Sequence, residues 1–84
     1  MNWEVIVRER ARKNLGHFPP KDRERILDAL TEFVTNPYSG DTIKLEGSDE
    51  WRRRVGAYRL KYEIREKERV VHIFKIERRT SNTY

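Results

Sequence analysis

The residues best suited to chemistry are arginines that gather in the second half of the chain. Three of them, Arg52 to Arg54, precede the Gly56-Ala57 pair, and a segment follows in which apolar and charged residues alternate. A guanidinium group stays protonated at physiological pH and can donate two parallel hydrogen bonds to one phosphate. Arginines held together on one surface would therefore match a phosphate-bearing partner.

The overall charge favours the same class of partner. The 84 residues carry a formal net charge of +5 and a pI of about 9.8, and charged residues make up 39% of the chain. A chain of this length forms one domain, here residues 1–84, with a core of marginal size. The charge indicates that a polyanion or an acidic protein binds to it.

Several classes of protein are disfavoured by the composition. The chain has no cysteine, so neither a disulfide framework nor a thiolate metal site can form, and its two histidines argue against a metal centre. The N-terminus lacks the basic start and apolar run of a signal peptide, and no apolar segment approaches the roughly 18 residues of a membrane span. We expect a soluble, cytoplasmic protein with no membrane partner.

The periodicity of the apolar residues predicts the elements that must position the arginines. Residues 3–7 alternate as in a short strand, residues 9–15 are good helix formers that end at Gly16, and a second apolar stripe from Pro20 to Asn36 indicates another helix. The rest of the chain changes to strand periodicity, at 43–45, 51–55, 58–65 and 69–76. We therefore predict an α+β fold in which antiparallel strands form one sheet with both helices on one face.

Alternation along the strands separates the cations from the core. Tyr58, Leu60, Tyr62 and Ile64 should face the helices, as should Trp51 and Val55. The opposite face of the sheet then carries Arg52, Arg54, Arg59 and Lys61. An ordinary solvated sheet face would show the same polarity, so alternation alone leaves both interpretations open.

Arg53 does not fit this pattern. It falls on the core side, where an unpaired charge is costly. We expect it to pair with a carboxylate such as Glu63 or Asp28, to extend its charged end to solvent, or to lie at an edge of the sheet.

Three segments resemble the RelE/ParE toxin superfamily of type II toxin–antitoxin systems. They are Leu45-Glu46-Gly47, the block from Trp51 to Glu63, and the tail from Arg78 to Tyr84. The resemblance covers nearly the whole chain and includes the order of one strand and two helices before the remaining strands. RelE-like members are ribosome-dependent mRNA endoribonucleases, whereas ParE-like members poison DNA gyrase without cutting RNA. The resemblance favours the RelE-like branch.

The resemblance also implies roles for individual residues. Arg59 follows the Gly-x-Tyr turn, where the RelE branch has an arginine that binds the scissile phosphate. Basic residues on the preceding strand match Arg52 and Arg54, and Lys61, which strand alternation places on the same face, is expected to bind RNA with them. A further arginine after the last strand matches Arg78 or Arg79, and a terminal tyrosine matches Tyr84. Arg53 departs from the pattern, which usually has an apolar residue there.

Those residue types suit RNA cleavage without a metal or another cofactor. The 2′-OH of the RNA attacks the adjacent phosphate, the arginines stabilise the transition state, and Tyr84 is the candidate base if nearby cations stabilise its phenolate. The expected partners are the ribosome, its mRNA and a cognate antitoxin, which forms a toxin–antitoxin hetero-oligomer. The alternatives are a ParE-like gyrase inhibitor without nuclease activity and a non-catalytic relic.

Overall fold

Two helices and five strands form in the order that the hydrophobic pattern predicts. The computed structural model describes residues 2–79. The elements are β1 (Glu4–Val7), α1 (Glu9–Gly16), α2 (Pro20–Thr35), β2 (Thr42–Lys44), β3 (Glu50–Val55), β4 (Tyr58–Arg65) and β5 (Val70–Arg78). Within this part of the chain, neither helix is both long and apolar enough to cross a membrane.

The five strands form one mixed sheet in the order β1-β5-β4-β3-β2. Strands β2 to β5 are antiparallel neighbours, as the short connections between them predict. Strand β1 adds a parallel pair with β5, so the sheet is not wholly antiparallel. The direction of β1 could not be read from its alternation, because the two helices that follow it leave room for either direction.

Both helices pack on one face of the sheet, and this confirms the predicted α+β arrangement. The core between the layers includes Ile26 and Phe33 from α2, and Leu60, Tyr62 and Ile73 from the strands, all at 0% exposure. Burying a side chain of this size contributes about 1.5–3 kcal/mol. The apolar residues therefore hold the helices on this face and leave the other face of the sheet open.

A tight turn between β3 and β4 sets the register of the two strands that carry most of the cations. Gly56 has a φ of 58°, in the left-handed region that a residue with a Cβ adopts only at a cost. With Ala57 it forms the whole connection between Val55 and Tyr58. The turn therefore places Arg54 directly opposite Arg59.

Arg53 lies on the core side, as predicted, but both of its predicted partners are wrong. Its side chain pairs with Glu32 at 2.9 Å and lies 5.7 Å from the centre of the Phe33 ring, with 9% of the residue exposed. Glu63 lies on the open face, where it pairs with Arg65. Glu32 lies one helical turn beyond Asp28 on the same side of α2, so the position of α2 along its axis relative to the sheet decides which carboxylate is in reach.

Candidate functional site

Strands β3 and β4 bring four cations together on the open face of the sheet. Arg54 lies opposite Arg59, and Arg52 lies opposite Lys61. Residues two apart on one strand point to the same face, so these two pairs form adjacent rows. The sequence-based assignment of these four cations to one face is therefore confirmed.

A cavity of about 220 Å³ lies over these rows. It is lined by Asp41, Ile43, Arg52, Arg54, Arg59 and Arg79. We call it the arginine cavity. Four guanidinium groups around one concave surface can donate hydrogen bonds to a single phosphate from several sides.

The structure at the end of β5 distinguishes Arg78 from Arg79, which the sequence left as alternatives for the same role. Arg79 lines the arginine cavity, and its backbone N–H donates to the carbonyl oxygen of Ala57 at 2.6 Å. Arg78 lies opposite Tyr58, whose side chain is on the helix-covered face. The geometry therefore brings Arg79, and not Arg78, to the other three arginines.

Three of the four cavity arginines are paired with carboxylates: Arg52, Arg54, and Arg59 with Glu77. The Arg52 Nε lies 2.6 Å from Glu50, and the Arg54 Nε lies 3.0 Å from Asp41. The Arg54 pair is open to solvent, and such a pair contributes at most about 1 kcal/mol. The contacts of Arg52 and Arg54 use few of the donors on each guanidinium group, so an incoming phosphate can still bind to both arginines.

A carboxylate that the sequence analysis missed lies beside the cavity. Glu77 approaches Arg59 at 3.3 Å, Lys61 at 3.4 Å and Lys75 at 3.2 Å. Burial alone would raise the pKa of Glu77, but hydrogen bonds from Lys75 and Lys61 and their positive charges outweigh it and lower the pKa. Alternation along β5 could have placed Glu77 on the open face, and the strand register sets it opposite Arg59.

The candidate base, Tyr84, lies outside the described residues. The other three tyrosines do not suit the role, because each has a raised pKa. A hydrogen bond to Asp22 raises the pKa of Tyr58, burial raises that of Tyr62, and burial followed by Glu66 raises that of Tyr38 to about 12. Tyr58 and Tyr62 pack against the helices, as predicted.

A larger cleft of about 630 Å³ lies near the other end of β3 and β4. Its charged lining residues are the cations Lys44, Arg65 and Lys67 and the carboxylates Asp49, Glu63, Glu66 and Glu68. Carboxylates outnumber cations there, so this cleft suits a polyanion less well than the arginine cavity does.

Residues 5–83 match a family model described as the ParE toxin of type II toxin–antitoxin systems, parDE. The chain belongs to the RelE/ParE toxin superfamily. It is 32% identical over 83 residues to the RelE1 protein of Methanocaldococcus jannaschii, whose name describes it as a candidate toxin; the match covers 94% of this chain and 92% of that protein. The resemblance seen in the sequence is thereby confirmed.

Solved structures of RelE proteins share the fold of this toxin. It superposes with a TM-score of 0.87 on a chain of the archaeal RelE–RelB complex from Pyrococcus horikoshii, at 30% identity over 98% of this chain and all of that one. The isolated RelE toxin of E. coli gives a TM-score of 0.81 at 23% identity, over 95% of this chain and 87% of that one, and it supports the fold alone.

Proposed function

We propose that this toxin is a RelE-like endoribonuclease that cleaves mRNA on the ribosome. One observation carries the proposal: Arg52, Arg54, Arg59 and Arg79 come from two strands and the end of a third to line one cavity. A solvated sheet face would need its cations only to be exposed, with no convergence on one point. A phosphate that gains charge in the transition state needs donors directed at one point.

The cleavage begins when the 2′-OH of the RNA attacks the adjacent phosphorus. A bond forms between phosphorus and O2′, the bond from phosphorus to O5′ breaks, and the products carry a 2′,3′-cyclic phosphate and a 5′-OH. Arg59 and its three neighbours donate hydrogen bonds to the non-bridging oxygens. In other enzymes one such donor contributes about 2.7–4 kcal/mol to transition-state stabilisation.

Proton transfer requires a base for the 2′-OH and an acid for O5′. We assign the base to Tyr84, whose phenolate the four arginines would stabilise by their charge. An arginine keeps its proton up to at least roughly pH 12, so it is a poor proton donor. None of the residues 2–79 is assigned as the acid.

The ribosome and an antitoxin are the partners in this proposal. A small basic protein can dock on ribosomal RNA by charge, while the ribosome arranges the mRNA for in-line attack. The RelE of Pyrococcus horikoshii forms a complex with RelB. We infer that a RelB-type antitoxin with an acidic segment covers the open face of this toxin in a hetero-oligomer in the cytoplasm.

The decisive experiment maps new mRNA 5′ ends in cells that produce the toxin without antitoxin. Wild-type toxin should create codon-phased 5′-OH ends. Arg59→Ala should slow cleavage by about 10²–10³-fold, because it removes a donor to the transition state. The matched control is Arg65→Ala on the same strand and the same face, since Arg65 pairs with Glu63 away from the arginine cavity.

The same assay tests the candidate base. Tyr84→Phe should abolish cleavage and keep antitoxin binding. Cleavage at the wild-type rate by both Arg59→Ala and Tyr84→Phe would reject the assigned site. An equal loss of cleavage in Arg59→Ala and Arg65→Ala would show that cleavage depends on the positive charge of the open face. It would argue against a special role for the arginines that line the cavity.

Gyrase inhibition is the second candidate function. The match of residues 5–83 to the ParE family model favours it, because ParE-like members act on gyrase. Growth arrest with intact mRNA, together with inhibition of purified gyrase in a supercoiling assay, would support this candidate and reject the nuclease.

A further inference from the structure

Glu77 forms the centre of a second cluster of cations next to the arginine cavity. Its Oε2 lies 3.3 Å from Arg59 and 3.4 Å from Lys61, and its Oε1 lies 3.2 Å from Lys75. Arg59 also lines the arginine cavity, whereas neither lysine lines it. One residue is therefore shared between two adjacent groups of cations.

The strand register places this cluster directly beside the cavity. Lys61 of β4 lies opposite Lys75 of β5, and Arg59 lies opposite Glu77. Neighbouring strands are about 4.8 Å apart. A nucleic acid strand whose phosphate occupies the arginine cavity would therefore place a neighbouring phosphate within reach of the two lysines.

The cluster has a net positive charge that is partly shielded from solvent. Only 16% of the Lys61 side chain and 31% of the Lys75 side chain are exposed, so solvent screens their mutual repulsion incompletely. A single carboxylate holds the three cations together and leaves a surplus of positive charge. Such a surplus of partly shielded positive charge attracts a further anion.

We propose that Arg59, Lys61 and Lys75 form a second phosphate subsite, for a phosphodiester that flanks the scissile one, and that Glu77 occupies it in the free toxin. The identity of the ligand as RNA rests on the proposed function. Bound RNA displaces the carboxylate, so Glu77 weakens the binding of RNA by competing with one phosphate. Lys75 thereby becomes an RNA-binding residue.

The test compares Glu77→Gln with Glu63→Gln in binding a short single-stranded RNA that carries 2′-O-methyl groups and cannot be cut. Both substitutions remove one negative charge from the open face, but Glu63 pairs with Arg65 outside the subsite. Fluorescence anisotropy across a salt series gives the dissociation constant and its salt slope. Glu77→Gln should bind about fivefold tighter than Glu63→Gln with the same salt slope, because the same number of phosphates is bound and only the competing carboxylate is gone.

A second pair of variants leaves the ion pairs of Arg59 and Lys61 with Glu77 in place. Lys75→Gln should make the salt slope shallower by about 0.7, because one phosphate contact is lost. Lys13→Gln on α1 removes the same charge on the helix side and should leave the slope unchanged, since Lys13 is exposed and pairs with Glu9.

The outcomes separate this subsite from the nuclease proposal. Equal binding by Glu77→Gln and Glu63→Gln, or equal slopes for Lys75→Gln and Lys13→Gln, would overturn the subsite even in a toxin that cuts mRNA. Tighter binding by Glu77→Gln in a toxin that leaves mRNA intact would support the subsite and reject the nuclease.

Discussion

Arg53 shows which features of a single residue can be predicted from the sequence. Its place on the core side follows from alternation, and its need for a carboxylate follows from the cost of burying a charge. Its partner, Glu32, does not follow, because Asp28 and Glu32 lie on the same side of α2, one turn apart, and only the packed position of the helix along its axis distinguishes them. The sequence predicts that Arg53 needs a carboxylate partner, and tertiary packing decides which carboxylate that is.

Removing the charge of Glu32 should destabilise the fold. Glu32→Gln weakens the partner of a buried guanidinium group and should lower the free energy of unfolding by about 1–2 kcal/mol, less than for a fully buried pair because Glu32 is half exposed. Urea denaturation measures the loss. Asp28→Asn, one turn away on α2, is the control and should change stability by less than about 0.5 kcal/mol.

The phenol of Tyr38 should titrate far from its ordinary value. Burial, and then a hydrogen bond at 2.6 Å to the Glu66 carboxylate, raise its pKa from 10.0 to about 12. A pKa raised in the folded state stabilises the fold fully below pH 10, and this contribution is lost as the pH rises towards 12. Phenolate absorbance during an alkaline titration should therefore show a late component that Tyr38→Phe reduces by one tyrosine, while Tyr58 and Tyr62, whose pKa values are also raised, still contribute to it.

Glu66→Gln tests the cause of that shift. It should lower the midpoint of the late component only in part, since burial is the larger cause. A midpoint for Tyr38 near 10 in the wild-type toxin would contradict the contact with Glu66.

At the scale of elements, the hairpin of β3 and β4 was the most predictable part of the site. The Gly56-Ala57 pair between two alternating segments indicates a two-residue connection, and such a connection fixes Arg54 opposite Arg59. The position of Arg79 was not predictable, because it depends on where β5 ends relative to that turn. A bulge between Lys61 and Tyr62 in the pairing of β4 with β5 also shifts the register in a way that alternation does not reveal.

Two glycines should respond in opposite directions to the same substitution. Gly56→Ala should cost about 1 kcal/mol of stability, because its φ of 58° is unfavourable for a residue with a Cβ. Gly16→Ala at the end of α1 meets nothing within 4 Å and should raise stability by about 0.4–1 kcal/mol. Thermal or urea unfolding checks both, and destabilisation of equal size would contradict the turn geometry.

At the scale of the whole molecule, the sequence predicts the sign of the partner's charge but not the place where it binds. Lysine and arginine total 19 residues, and six of them lie on the two helices, away from the cavity. Counting charges cannot tell which cations act together. Strand register and the end of β5 select the small group that lines the arginine cavity.

Association with ribosomes should weaken steeply as salt is added. Each phosphate contact contributes about −0.7 to the slope of log K against log salt for a single strand, so Arg52→Gln should make the slope shallower by about that amount. Arg10→Gln on the exposed side of α1 should leave the slope unchanged. Co-sedimentation with ribosomes over a potassium chloride series measures both, and a flat response of the wild-type toxin would contradict binding through the open face.

The pairing of β1 with β5 affects when the toxin can become active during its own synthesis. Among the strands of residues 2–79, β5 is the last to be made, yet it lies second in the sheet and is the only one that pairs with β1. Until β5 emerges from the ribosome, β1 has no strand to join, and Arg79 cannot bond to the turn at Ala57. A nascent chain therefore lacks the complete arginine cavity, and under the proposed function it could cleave mRNA only once this late strand has emerged and has folded into place.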